Sequence, residues 1–226
     1  MDKMPARPKN PPRPQNTVLL TGFEPFGGAS LNPSWLAAQA LHGQAMLGRR
    51  VVAAQLPTAF DTSQHALNAL LHAHQPELVI CVGQAGGRPQ LSLERVAINV
   101  DDAPIPDNAH VQPVDTPVVL GGPAGYFTSL PIKAMLAALR QEGIGAEVSQ
   151  TAGTFVCNHV FYGLMHALAT DPQLHHTRGG FVHVPWLPEQ GTPSMSLDDI
   201  VRGLRVAVRC ALRVREDEAL GAGSTH

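Results

Sequence analysis

The segment ELVICVG (77–83) decides the fold: five apolar residues in a row, Leu78 to Val82, follow one acid and stop at a glycine. The run lacks the alternation of a strand with one wet face, and it predicts a strand covered by helices on both sides. Working upstream, Asp61 or Thr62 is expected to cap a helix carrying Leu67, Leu70 and Leu71. RVVAAQL (50–56) reads as a strand, Pro33-Ser34 opens a helix through Trp35, Leu36, Ala40 and Leu41, and TVLLTG (17–22) is the first strand. Downstream, LSLERVAINV (91–100) is expected as one strand, followed by a Pro/Asp/Gly-rich stretch at 101–123. The alternation then resumes: a helix from Pro131 to Arg140 ending near Gly143, a strand AEVSQT (146–151), a turn and helix over 152–169, and a strand GGFVHVP (179–185). Ser196 caps the last helix, with Asp198 and Asp199 in its first turn. Its apolar stripe is Leu197, Ile200, Val201, Leu204, Val208, Ala211 and Leu212, and Arg202, Arg205, Arg209 and Arg213 lie opposite as a solvated face. Strands alternating with helices predict an α/β fold: a single-domain three-layer α/β/α sandwich with a mostly parallel central sheet.

The chain has 226 residues, 44% of them hydrophobic, enough for one sizeable core. Residues 1–16 hold Lys3, Arg7, Lys9, Arg13 and five of the twenty prolines, and are expected to form a disordered basic tail. Without it 12 positive and 17 negative residues remain, so the folded body is mildly acidic and is not expected to bind nucleic acid. The domain is expected to run over 17–216, with 217–226 as a flexible C-terminal tail. No stretch reaches the ~18 apolar residues of a membrane span, and the N-terminus lacks the apolar core of a secretory signal. Three cysteines, Cys81, Cys157 and Cys210, do not make a disulfide framework, so a reducing, cytoplasmic setting is expected.

In open α/β sheets ligands bind beyond the carboxyl ends of the strands. That rule selects TGFEPFGG (21–28), GQAGGR (83–88), AGTFVC (152–157) and FVHVP (181–185). The first two loops are glycine-rich, yet neither fits a phosphate-binding fingerprint. Cys157 follows a flexible turn and opens a helix, where the helix dipole favours the thiolate. Cys81 and Cys210 sit in apolar patterns and read as packing residues. A nucleophilic thiol needs a base and a group that orients the base. His183 interrupts an apolar strand close to its carboxyl end, and Glu94 lies among Leu93, Val96 and Ala97, where an acid wants a donor partner. His72, His74, His175 and His176 fall in polar stretches without metal-ligand spacing and are expected to be solvated.

The ordered set TGFEPFGGASLNPSW, GQAGGR…ERVAINVDDAPIPDN, AGTFVCNHVFYGLMH, GGFVHVPWLPEQ and TPSMSLDDI resembles the pyroglutamyl peptidase type I family, from about Thr17 to Val214. The resemblance implies a cysteine exopeptidase that removes an N-terminal 5-oxoproline from peptides, with a catalytic triad falling on Glu94, Cys157 and His183. It implies an α/β/α sandwich, homotetramers, and no cofactor or metal. By the same resemblance Phe23 and Phe26 sandwich the lactam with help from Phe155 and Val156, and Asn32, Gln84 and Ile105 line the pocket.

One position departs from the family pattern. Where the family commonly reads D-A-R-I-P-D-N, this chain has Asp102-Ala103-Pro104-Ile105-Pro106-Asp107-Asn108. Proline brings neither charge nor N–H, so the carbonyl-polarising role of that arginine is lost or filled elsewhere. Arg88 and Arg95 are near in sequence, but sequence alone does not place their side chains at the site. Two alternatives follow: a phosphorylase-like enzyme on a similar sheet, which needs an anion site near Gly27-Gly28 or Arg88, and a non-catalytic lactam-binding protein. The 101–123 stretch, rich in turn formers, is expected to be mobile without substrate.

Overall fold

The structure, a computed structural model, describes residues 15–223. The disordered tail expected at 1–16 lies outside the described residues as far as residue 14; its last two residues begin the first strand instead. One seven-stranded sheet is built from β1 (Gln15–Phe23), β2 (Ala45–Met46), β3 (Arg49–Leu56), β4 (Pro76–Gln84), β5 (Leu91–Glu94), β8 (Ala146–Ser149) and β9 (Arg178–Val184). The strand order is β2-β3-β1-β4-β9-β5-β8. The central pairs β3–β1, β1–β4 and β4–β9 are parallel, as is β5–β8. β2–β3 and β5–β9 are antiparallel.

The apolar run that opens the argument is β4, buried from Pro76 to Gly83 at the centre of the sheet. Helices α1 (Pro33–Ala40), α3 (Ile132–Gln141) and α5 (Leu197–Arg213) cover one face, packing Leu136, Leu139, Ile200, Leu204 and Val208 on Val18, Leu20, Leu78 and Ile80. Helices α2 (Phe60–His74) and α4 (Val156–Thr170) cover the other, packing Leu67, Leu71, Val160 and Phe161 on Leu19, Val79, Cys81 and Phe181. Alternate residues of β4 therefore feed two separate cores, which is the period-two geometry of a strand. Sheet and two helical layers form the expected three-layer sandwich. Ser196 caps α5 by accepting from Asp199 N at 3.1 Å, and Ile200, Leu204, Val208, Ala211 and Leu212 are buried as the stripe requires. Among the described residues no helix is long and apolar enough to cross a membrane.

Four expectations are corrected. The segment 91–100 is two strands, because after Glu94 the chain leaves the main sheet at Arg95. β6 (Val96–Ile98) then pairs with β7 (Gly125–Phe127) in a separate two-stranded sheet. Helix α2 is not capped by Asp61 or Thr62. It starts one residue earlier, and the buried Asp107 accepts from Phe60 N at 2.9 Å from across the fold. The residue expected to begin a flexible C-terminal tail, Asp217, accepts from Lys133 N at 3.1 Å and Ala134 N at 2.9 Å, capping α3, whose own N-cap residue is Pro131. The stretch 101–123 is fastened along its length. Asp101 exchanges backbone bonds with Thr116, Ala103 N donates to Pro113 O, and Asn108 Nδ2 donates to Glu24 Oε1 and Pro25 O.

Candidate active site

Three neighbouring strands supply the site. In the parallel pair β4–β9, Gly83 stands in register with His183, so both face the α4 side. In the antiparallel pair β9–β5, Ser92 stands opposite His183. Glu94, two residues on, shares that face and is a diagonal neighbour of His183. The antiparallel run of β5 is what brings a carboxylate beside the histidine. His183 Nδ1 and Glu94 Oε1 are 2.7 Å apart, the histidine side chain 4% exposed and the glutamate fully buried. A carboxylate only accepts, so Nδ1 carries the proton and Nε2 is left free as a base.

Cys157 is the second residue of α4, which points its N-terminus at the same place. Its sulfur occupies the space that a side chain on residue 83 would need. A Cβ built on Gly83 would stand 2.8 Å from Cys157 Sγ and 2.8 Å from the Phe181 ring. The Phe181 and His183 rings are 4.8 Å apart between centroids. Cys157, His183 and Glu94 thus stand at one face of β4-β9-β5. Gly83 is a site residue that sequence reasoning missed. The available signal was a glycine ending an apolar strand, which is ambiguous until the thiol packed on it is seen.

The charge state of the thiol departs from expectation. Although Cys157 keeps some exposure as a residue, its sulfur is turned inward. Burial pushes the thiol up to about 12, the Glu94 carboxylate adds to the rise, and the Arg88 guanidinium opposes it. Desolvation outweighs the helix dipole here. The shift runs against the thiolate that the helix start favours.

Arg88 is at the site. Its Nη1 donates to Glu94 Oε1 at 2.8 Å and its Nη2 to Thr151 O at 3.2 Å. Glu94 Oε1 therefore accepts from both His183 and Arg88, while Glu94 Oε2 is buried without a partner among the described residues. Pro104 is exposed, so the guanidinium at this centre comes from position 88 and not from 104. No hydrogen bond joins the Arg95 side chain to Glu94, His183 or Cys157 among the described residues. Cys81 is fully buried in the core, and Cys210 is half-buried on α5.

At the carboxyl end of β4 lies a cleft of about 890 Å³ lined by Phe26, Gln84, Ile105, Trp186 and Gln190, among others. Three of the expected pocket residues, Phe26, Gln84 and Ile105, face it, and Gln84 directly follows Gly83. The other four are not among its lining residues. Phe23 is 2% exposed and packs its ring against Phe181. Asn32 is equally buried. Its Oδ1 accepts from Ser34 N and Oγ and its Nδ2 donates to Glu24 O, so it shapes the TGFEPFGG turn and caps α1. Val156 is fully buried, and Phe155 meets the cleft residue Phe26 at 6.0 Å between ring centroids. The glycines 27 and 28 line the open cleft with no cationic side chain among its lining residues, which does not favour a phosphate site.

The sequence model of the family described as pyroglutamyl peptidase matches residues 16–214. The pyrrolidone-carboxylate peptidase of Bacillus cytotoxicus is 54% identical over 93% of this chain and 99% of its own length. That of Cupriavidus taiwanensis is 56% identical with the same coverage. Among solved structures, pyroglutamyl peptidase I from Bacillus amyloliquefaciens superimposes with a TM-score of 0.89 at 49% identity, covering 92% of this chain and all of that one. A mutant pyrrolidone carboxyl peptidase from Pyrococcus furiosus gives 0.84 at 38% identity over 87% of this chain and 98% of that one. Family model, sequence relatives and solved structures cover the same sandwich, and the chain belongs to the pyroglutamyl peptidase family.

Proposed function

We propose that this protein is a cysteine exopeptidase that removes an N-terminal 5-oxoprolyl residue from peptides. The observation that carries the reading is the 2.7 Å contact between His183 Nδ1 and Glu94 Oε1 on the sheet face where Cys157 Sγ rests on Gly83. His183 Nε2 takes the thiol proton as Sγ attacks the carbonyl carbon joining 5-oxoproline to the next residue. Backbone N–H groups at the start of α4 stabilise the oxyanion. As the C–N bond breaks, His183 passes its proton to the departing amine, leaving a thioester on Cys157. Water then attacks the thioester with His183 again taking the proton, and the acid leaves with the thiol restored. Glu94 holds the imidazole in the working tautomer and stabilises its charged form.

The cleft fits a small uncharged acyl group: Phe26 and Ile105 give apolar walls, and Gln84 gives a hydrogen-bonding amide. Three free cysteines support action in a reducing compartment, the cytoplasm. Homotetramers are the expected assembly. Exposed Val114, Leu120 and Phe127 support self-association, which light scattering tests. The activity is tested with a chromogenic pyroglutamyl amide, using the wild type and Cys157→Ala. Turnover by the wild type alone is expected; turnover that survives Cys157→Ala contradicts the thiol mechanism. Lactam binding without turnover by the wild type supports a binding protein instead.

A further inference from the structure

Two glutamines stand in series at the cleft, and their order fixes which atoms face a ligand. The backbone N–H of Leu187 donates to Gln190 Oε1 at 3.0 Å. A backbone N–H cannot accept, so the end of the Gln190 amide that meets it must be the oxygen, and the NH₂ points the other way. That NH₂ donates to Gln84 Oε1 at 3.0 Å. The oxygen of Gln84 is thereby engaged, and its own Nε2 has no protein partner among the described residues. Gln84 and Gln190 both line the cleft. Gln190 is itself held from two sides, since its backbone N–H donates to Leu187 O at 2.9 Å. The direction of the whole relay is set by one peptide N–H on the turn after β9, the strand that carries His183.

We propose that Gln190 is a positioning residue that locks the Gln84 amide with its NH₂ toward the cleft, so that the acyl site selects groups offering a carbonyl acceptor. This rests on the peptidase reading and deepens it. The lactam C=O of 5-oxoproline satisfies the donor, whereas proline places a CH₂ there and leaves a desolvated N–H unpaired. Selection against proline is thus built two residues deep, and only the inner one touches substrate.

The test is Gln190→Glu. The carboxylate still accepts from Leu187 N–H, so the turn is preserved, but it has no proton for Gln84. Gln84 then turns its NH₂ toward Glu and offers its oxygen to the cleft. With a chromogenic pyroglutamyl amide, KM is expected to rise roughly 10- to 100-fold while kcat holds, the pattern of lost ground-state binding. Inhibition by free 5-oxoproline weakens in parallel, and inhibition by proline does not. In a Gln84→Ala background the same change at 190 adds no further rise, because its effect runs through Gln84. Should Gln190→Glu not fold, Gln190→Ala tests the same point: it removes the donor to Gln84 Oε1, frees the Gln84 amide to turn, and raises KM in the same direction. An unchanged KM in the variant that folds, or an equal rise in the Gln84→Ala background, overturns the relay while leaving the peptidase reading intact. No turnover by the wild type overturns both.

Discussion

The sulfur of Cys157 lies where a side chain on Gly83 would be: a Cβ there stands 2.8 Å from Sγ. Residue 83 is also the register partner of His183, so one missing side chain lets the thiol approach the histidine strand. Gly83→Ala should therefore displace either the thiol or the Phe181 ring. The expected loss is roughly 10²-fold in kcat, the scale of a misplacement of about 1 Å at a reacting centre. Steady-state kinetics, with thiol titration to show that Cys157 is intact, checks it.

Arg88 is expected to matter through the thiol. Its guanidinium opposes the burial that raises Cys157, so Arg88→Ala moves the thiol further up and slows its alkylation by iodoacetamide at any fixed pH near neutrality. Because the wild-type thiol is already pushed up to about 12, its alkylation rate climbs throughout the neutral to alkaline range. A plateau at neutral pH would mean a preformed thiolate–imidazolium pair.

Cys81 predicts part of the alkaline limb of stability. Burial raises its thiol from 9.0 to about 12 in the folded state. Between those values the folded protein holds a proton that the unfolded chain has released, so stability is full below pH 9 and falls as pH rises toward 12. Cys81→Ala should flatten that fall by up to ~1.4 kcal/mol per pH unit, whatever fixed cost its cavity adds. Urea unfolding from pH 8 upward compares the slopes.

Asp217 predicts where the folded domain ends. Asp217→Ala should cost about 1 kcal/mol by uncapping α3, and truncation after residue 216 should cost at least as much. Urea midpoints of the two variants against the full chain measure it. Equal stability of all three would return residue 217 to the tail.

The layers of the sandwich were legible because they rest on local patterns. The five apolar residues of ELVICVG fit only a doubly covered strand, and the α5 stripe repeats at helical spacing. Cys157, Glu94 and His183 were each anomalous against their neighbours, a polar or reactive group in an apolar context, and the fold collects all three. What sequence hid was long-range. Asp107 caps a helix 47 residues away, and Asp217 caps another 84 residues away. Arg95 breaks a run of good strand formers through the change of sheet, which propensity cannot show. The burial that raises the thiol was hidden for a related reason. The helix start is visible in sequence, but the burial that overrides it comes from Gly83 and Phe181 on two other strands. Phe23, Asn32 and Val156 match the family pattern, and their burial is a property of the fold that sequence does not show.

The central claim is a covalent acyl enzyme on Cys157. Mixing the protein with an activated pyroglutamyl ester and quenching in acid within one turnover should trap a single 5-oxoprolyl group. Peptide mass spectrometry is expected to place it on the fragment containing Cys157, with none trapped in Cys157→Ala. A trapped group on Cys81 or Cys210, or product formation with no acyl adduct at any quench time, would contradict the account.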